Sequence, residues 1–262
     1  MTKPDLGPVG LWTFTLDLRP AAEVRDLVPE IESMGWGCVW VPEAVNRDAM
    51  VNSALLLSAS TTLKIGTGIA SIWGRDAMTT AAALHSLSEA WPGRFVLGLG
   101  VSHQPMVDGL RGQDYTKPFS KMRDYLAAME GALYMSPRIE RESVVLAALG
   151  PKMLELSASA ADGAHPYFVP VEHTATLAAR LCALGDTVER RLLPGKIHQT
   201  AQPAAYQAGI EWLVGLREGA SPTSTCGRST PSAFAFAVEP APSRSTAPAR
   251  CAIEKWCRPR TW

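Results

Sequence analysis

KIGTGIASIWGRDAMTTAAALHSLSEAWPGRFVLGLGVSH, residues Lys64 to His103, reads as a complete strand–helix–strand unit. A β-branched run, Lys64–Ile69, breaks at Ser71–Gly74. Met78, Ala82, Leu84 and Leu87 then recur at helical spacing until Trp91-Pro92-Gly93 ends the helix, and a second apolar strand follows at Phe95–Val101. Short apolar strands without polar alternation are the mark of parallel strands covered on both faces. The glycines of Gly66-Thr67-Gly68 and Gly98-Leu99-Gly100 stand where a strand would carry bulk, and are expected to mark backbone closely approached by a ligand. Both runs lie toward the C-terminal ends of their strands, the edge where parallel α/β sheets and barrels place ligands.

The flanking sequence repeats the pattern. Upstream, Val9–Leu16 is a strand, Pro20 begins a helix with Val24, Leu27, Val28, Ile31 and Met34 on one face, and Gly35 caps it. Cys38–Pro42 is a second buried strand that runs directly into Glu43, and Asn52–Ser60 a second helix. Strand starts near residues 10, 38, 64 and 95 recur every 26 to 31 residues, the period of βα units. Downstream, a long connection, Gln104–Lys117, leads to a helix through Phe119, Met122, Leu126, Met129 and Leu133. Val144–Leu149 is a fifth strand, Lys152–Ala161 a helix opened by Gly150-Pro151, and Ala164–Val169 a sixth strand. Six strands alternating with helices predict a (β/α)8 TIM-type barrel whose last two units are divergent, incomplete or missing.

Residues 1–174 form the barrel portion in this reading, and 175–262 a divergent segment, aberrant or partly disordered after residue 219. Helices are expected at Ala175–Leu184 and Ala204–Leu216, and strands around Arg191–Ile197 and Phe234–Val238. From Gly219 onward the chain is dense in Ser, Thr, Pro, Ala and Arg, with only Glu239 and Glu254 acidic. The overall charge is zero, 25 basic against 25 acidic residues, but the halves differ. Residues 1–174 hold 14 Lys/Arg and 19 Asp/Glu, and residues 175–262 hold 11 and 6. A neutral balance points to neither nucleic acid nor membrane as a partner. No signal-peptide pattern follows Met1, no apolar run reaches the length of a bilayer span, and the five cysteines show no CxxC or metal-ligand spacing. A cytoplasmic protein with a buried Cys38 thiol is expected. An unclosed six-stranded sheet would expose edges, so a homodimer through that gap is a further expectation.

The set GTGIAS, PGRFVLGLGVSH, VWVPEA and ALGPKMLELSASAADGAHPY, in this order, resembles the bacterial luciferase-like family, and within it the coenzyme F420-dependent oxidoreductase branch, over about Gly7 to His173. The resemblance implies a non-prolyl cis peptide at Gly68–Ile69, lying against the central ring of a flavin or deazaflavin, with Ala70 and Ser71 lining the pocket. It implies further cofactor contacts from Gly100, Val101 and Ser102. The turn Gly150, Pro151, Lys152 and Met153 would hold a phosphate on helix amides. Glu43 and His103 are the expected catalytic residues: Glu43 stands at the end of the second strand, and His103 is suited to acid–base work near neutral pH. The Asp-His pair that the family can carry after strand two is replaced by Glu43-Ala44. Trp12, Trp36, Trp40 and Trp91 read as core aromatics and Trp73 as a pocket wall. His165 lacks the carboxylate cluster a metal would need, so no metal is expected.

The implied activity is hydride transfer between F420 and a small organic substrate, with a luciferase-type FMN monooxygenase as the neighbouring alternative. A catalytically inactive flavin-binding remnant of the barrel is the alternative of another class. An unrelated phosphate-binding isomerase or aldolase would need a buried lysine or paired carboxylates at strand ends, and the sequence offers neither.

Overall fold

The computed structural model describes residues 6–7, 10–139, 141–167, 189–192 and 234–237. Strands β1 (Gly10–Trp12), β2 (Cys38–Val41), β3 (Lys64–Thr67), β4 (Ala70–Ser71), β5 (Phe95–Gly100), β6 (Val144–Leu146) and β7 (Gly163–Ala164) alternate with helices α1 (Ala21–Ser33), α2 (Ala49–Ser58), α3 (Ala77–Ala90), α4 (Pro118–Glu130) and α5 (Pro151–Ala160). All seven strands pair in parallel, in the order β1-β2-β3-β5-β6-β7, with β4 joined to β5. The protein is thus an α/β chain built on a curled parallel sheet, part of a TIM-type barrel. Two further strands, β8 (Glu189–Leu192) and β9 (Phe234–Ala237), fall near the expected strand positions but pair in parallel with each other as a separate sheet. The expected helices at 175–184 and 204–216, and the rest of 175–262 apart from these two strands, lie outside the described residues.

The sheet sorts its side chains by alternation. Val39, Val41, Ile65, Phe95, Leu97, Leu99 and Leu146 pack under the helices in the main apolar cluster. Cys38, Trp40, Val96 and Val145 form a second cluster on the concave face with Leu6, and Trp12 packs against it. Cys38 is fully buried, and burial pushes its thiol pKa up, so it is an inert packing group.

Several boundaries differ from those read off the sequence. β1 is short because Thr15–Leu18 turns into a 3-10 helix. α2 starts at Ala49 because Asp48 caps it, accepting from the amides of Met50 (2.8 Å) and Val51 (3.1 Å). The apolar pattern alone gave no sign of that cap. Met78 and Met34 are exposed, and α3 buries Thr80, Ala81, Leu84, His85, Leu87 and Ser88 instead. The fifth strand ends at Leu146 and the sixth begins at Gly163. The connection after β5 contains a π-helical turn, Pro105–Leu110, so it is not plain loop. Gly35 ends α1 as expected, at φ +86°. Among the described residues no helix is long and apolar enough to cross a membrane.

Two charged side chains tie down the N-terminal edge of the sheet. The Arg94 guanidinium donates to the carbonyls of Leu57, Leu63 and Ser60 and to Ser60 Oγ, joining α2, β3 and β5. Glu32 accepts from the amides of Thr61, Thr62 and Leu63 and from both threonine hydroxyls, joining α1 to the turn before β3. Burial works against the Glu32 charge, but hydrogen bonds from Thr62, Thr61 and Leu63 outweigh it and hold the carboxyl at about 2, down from 4.5. With its pKa lowered in the folded state, Glu32 contributes stability that is present above 4.5 and lost as pH falls toward 2. Glu32→Gln is therefore expected to lower the melting temperature at pH 7 and to flatten its decline below pH 4.5. Thermal melts across that range check this, and an unchanged acid limb would count against it.

Candidate functional site

The site is organised around the break between β3 and β4. Gly66 pairs with Val96, but Ala70 pairs with Leu99, so four steps along β3–β4 oppose three along β5. The extra residue makes a bulge, a device that re-aims the chain at a barrel rim. The peptide Gly68–Ile69 within it is cis, at the bond the resemblance indicated. Several polar backbone groups around the bulge are taken up by neighbouring parts of the chain. Thr67 Oγ1 donates to the Gly98 carbonyl (2.7 Å) and accepts from the Gly98 amide (2.8 Å). Trp12 Nε1 donates to the Gly68 carbonyl at 2.7 Å, the Gly68 amide to the Val41 carbonyl at 2.7 Å, and the Glu43 amide to the Ile69 carbonyl at 3.1 Å.

The strand glycines leave room for other parts of the chain. A Cβ on Gly66 would stand 2.4 Å from the Trp40 ring, one on Gly68 3.0 Å from the Trp12 indole, and one on Gly98 1.9 Å from the Thr67 carbonyl oxygen. At Gly100 the same space is filled by Ile69, with Cδ1 2.5 Å away. The close approach is made by the chain's own indoles and carbonyls, which need the volume of the concave face. The Trp40 ring also meets His165 at 4.6 Å, and Trp12 meets Tyr167 at 4.6 Å. His165 is half-buried, with Nδ1 sealed off and without a hydrogen bond among the described residues, and burial lowers its pKa to about 4.

Of the expected site residues, the fold brings Glu43, Gly68, Ile69, Ala70, Ser71, Gly100 and Val101 to one edge. Ser71 pairs with Gly100, the Ile72 amide donates to the Gly100 carbonyl (3.1 Å), and the Ala147 amide donates to the Leu99 carbonyl (2.8 Å). Gly68, Ala70, Ser71 and Gly100 are buried, whereas Ile69, Val101 and Ser102 are half-buried and His103 is exposed. Ser102 adopts φ +56°, the left-handed region that a non-glycine residue rarely occupies. Gly150 opens α5 at the C-terminal end of β6. No side chain caps it, its first turn carries no acid, and the space beyond Gly150 is open. Gly150, Pro151 and Lys152 are exposed and Met153 half-buried.

Glu43 is the most constrained of the set. Its Oε2 accepts from the Ser71 amide (2.8 Å) and Arg75 Nη1 (2.9 Å), its Oε1 from Arg75 Nη2, and only 7% of the side chain is exposed. Sequence reasoning missed Arg75, although an Arg-Asp pair at the start of a helix just past a strand end was the available signal. Trp73, expected as a pocket wall, stands in a rim that also includes Lys121 and Arg111, which sequence reasoning did not name. Trp73 Nε1 donates to the Val101 carbonyl (2.8 Å), its ring packs on Tyr115 (5.5 Å) and Lys121 Nζ lies 4.4 Å from the ring centre. Tyr115 donates to the Ser102 carbonyl, and Arg111 reaches the Ala44 carbonyl from the same long connection. Among the described residues no group of three or more His, Cys, Asp or Glu is placed to share a metal ion.

Comparison with known proteins places this geometry. A family model described as luciferase-like monooxygenase matches residues 8–204. A 5,10-methylenetetrahydromethanopterin reductase from Methanolobus tindarius is 28% identical over 162 residues, covering 55% of this chain and 49% of that protein. The chain thus spans about half the length of the curated relatives it matches. Solved structures that share the fold include the following two. An F420-dependent secondary alcohol dehydrogenase in complex with an F420-acetone adduct superposes with TM-score 0.58 at 12% identity, covering 74% of this chain and 69% of that one. The oxygenating constituent of 3,6-diketocamphane monooxygenase from Pseudomonas putida, in complex with FMN, gives 0.53 at 13% identity, covering 71% and 64%.

The glycine geometry yields a graded expectation. Gly100→Ala crowds the flexible end of Ile69 and should cost about 1–3 kcal/mol, as overpacking does. The double variant Gly100→Ala/Ile69→Ala should recover part of that loss. Gly98→Ala drives a methyl into a backbone carbonyl that cannot swing aside, so it should cost more than Gly100→Ala and gain nothing from Ile69→Ala. Urea unfolding of the four variants decides the matter, and equal costs for the two glycines would refute the packing argument.

Proposed function

This chain belongs to the luciferase-like monooxygenase family, and from that premise we propose that it is an oxidoreductase that holds coenzyme F420 over the C-terminal ends of β3–β6. The cofactor supplies the hydride chemistry, and the small organic substrate exchanges hydride with it. The observation that carries this reading is the bulge. The half-buried Ile69 closes a cis peptide bond, and the Gly68 amide, Gly68 carbonyl and Ile69 carbonyl are all engaged by the chain, which supports a preformed surface at the rim where the family lays its ring.

The residues present fit a phosphate-bearing cofactor. α2 and α3 are capped by Asp48 and Asp76, whose carboxylates take up their helix amides. α5 alone of these three has no side-chain cap and begins with glycine and open space, so its Lys152 and Met153 amides suit an anion. In this reading His103, exposed beyond β5, moves the proton on the substrate side. Glu43 contributes by holding the Ser71 amide, since both of its oxygens already accept from Arg75. The rim built by Trp73, Tyr115 and Arg111 keeps water from the reacting edge. FMN is the second reading, favoured by the likeness to the FMN-bound camphane monooxygenase fold.

Anaerobic fluorescence titration separates the two: F420 is expected to bind more tightly than FMN, and tighter FMN binding would overturn the assignment. Gly150→Asp tests the phosphate position. It should leave α5 as stable or slightly more stable while weakening cofactor binding by about tenfold, because a capping carboxylate competes for the same amides. Unchanged affinity would remove the phosphate from this turn.

A further inference from the structure

Strand pairing alone does not fix the height of the bulge at the rim. The Ser71 amide is held by a side chain from another strand end, Glu43 Oε2 at 2.8 Å. A glutamate carboxylate swings on two rotatable bonds beyond Cβ, so it can hold an amide in place only if it is itself held. Arg75 does this with a two-pronged ion pair, and 8% of its side chain is exposed against 7% for Glu43. The same Nη2 reaches Asp48 Oδ2 at 2.6 Å, while Asp48 Oδ1 caps α2. The backbone of Arg75 is fixed in turn by α4. Tyr125 OH donates toward the carbonyls of Arg75 (3.0 Å) and Asp76 (3.1 Å) and pairs with Thr80 Oγ1 at 2.5 Å. Arg75 therefore links the strand-two exit and α2 through its guanidinium, and α4 through its backbone carbonyl, to the Ser71 amide two residues past the cis peptide.

We propose that Arg75 is the positioning residue of the cofactor cradle: by locking Glu43 it sets where Ser71, and with it Ile69 and Ala70, stand at the barrel rim. This rests on the cofactor reading above for its meaning but not for its geometry. Arginine is needed here because only a planar fork grips both oxygens of Glu43 and still reaches Asp48. A lysine, a single point charge, satisfies one partner at a time.

The test uses Arg75→Lys, Arg75→Met and the neutral pair Glu43→Gln/Arg75→Gln, which leaves no unpaired buried charge if the single variants fail to fold. Amide hydrogen exchange of the cofactor-free full chain is read at Ser71 and at Leu97, whose amide bonds the Ser143 carbonyl away from the network. The inference expects Ser71 to exchange at least tenfold faster in all three while Leu97 is unchanged. It also expects the induced circular dichroism of bound F420 to change in the variants. Unchanged Ser71 protection, or loss of protection at Ser71 and Leu97 alike, overturns it, the latter showing a merely structural residue. If the wild type binds neither F420 nor FMN, the function proposed above falls and the cradle loses its cofactor. The exchange result then still decides whether Arg75 positions the segment.

Discussion

Thr67 and Gly98 carry the constraint on which the rest of the site depends. A parallel ladder that gains one residue on one strand leaves an amide and a carbonyl without partners, and buried groups of that kind cost about 1–3 kcal/mol each. The Thr67 hydroxyl, donor and acceptor at once, serves both Gly98 groups. A valine of the same shape would serve neither. Glycine at 98 is the other half of the arrangement, because the Thr67 carbonyl lies where any Cβ would stand. This contact keeps both Gly98 groups satisfied at the point where the register slips between Gly66 and Ala70.

The two edges of the sheet use charge differently. At the N-terminal edge Arg94 and Glu32 are spent on backbone groups, a stabilising use with no opening toward a ligand. At the C-terminal edge the charges of Arg75, Glu43 and Asp48 are spent mainly on each other. That division agrees with the general behaviour of parallel barrels, in which one end carries stability and the other chemistry.

Much of the architecture was legible in the sequence, because its signals are local. The recurrence of strand starts, the face of α1 through Val24, Val28 and Ile31, and the stop at Gly35 each depend on neighbours within a few residues. The location of the cis bond was legible only through resemblance, since nothing in Gly-Ile itself marks it. What escaped depends on partners far along the chain. Arg75 meets Glu43 across 32 positions, and Trp12 meets Gly68 across 56. The chain partners of the glycines escaped for the same reason. An absent side chain announces that something is close, and only the folded chain shows that it is Trp40, Trp12, Ile69 or the Thr67 carbonyl.

Gly66 and Trp40 have a consequence for how such a chain changes over generations. The indole occupies the volume that glycine vacates, with ring carbons 2.4 and 2.5 Å from where a methyl would sit. Either substitution made first meets a penalty, a collision if the glycine grows or a void if the tryptophan shrinks. Each becomes tolerable only beside the other, so the two positions are coupled and their energies do not add. A lineage can reach a new concave lining through such a pair only by a simultaneous change or by crossing a destabilised intermediate, which makes this position on the sheet slow to drift.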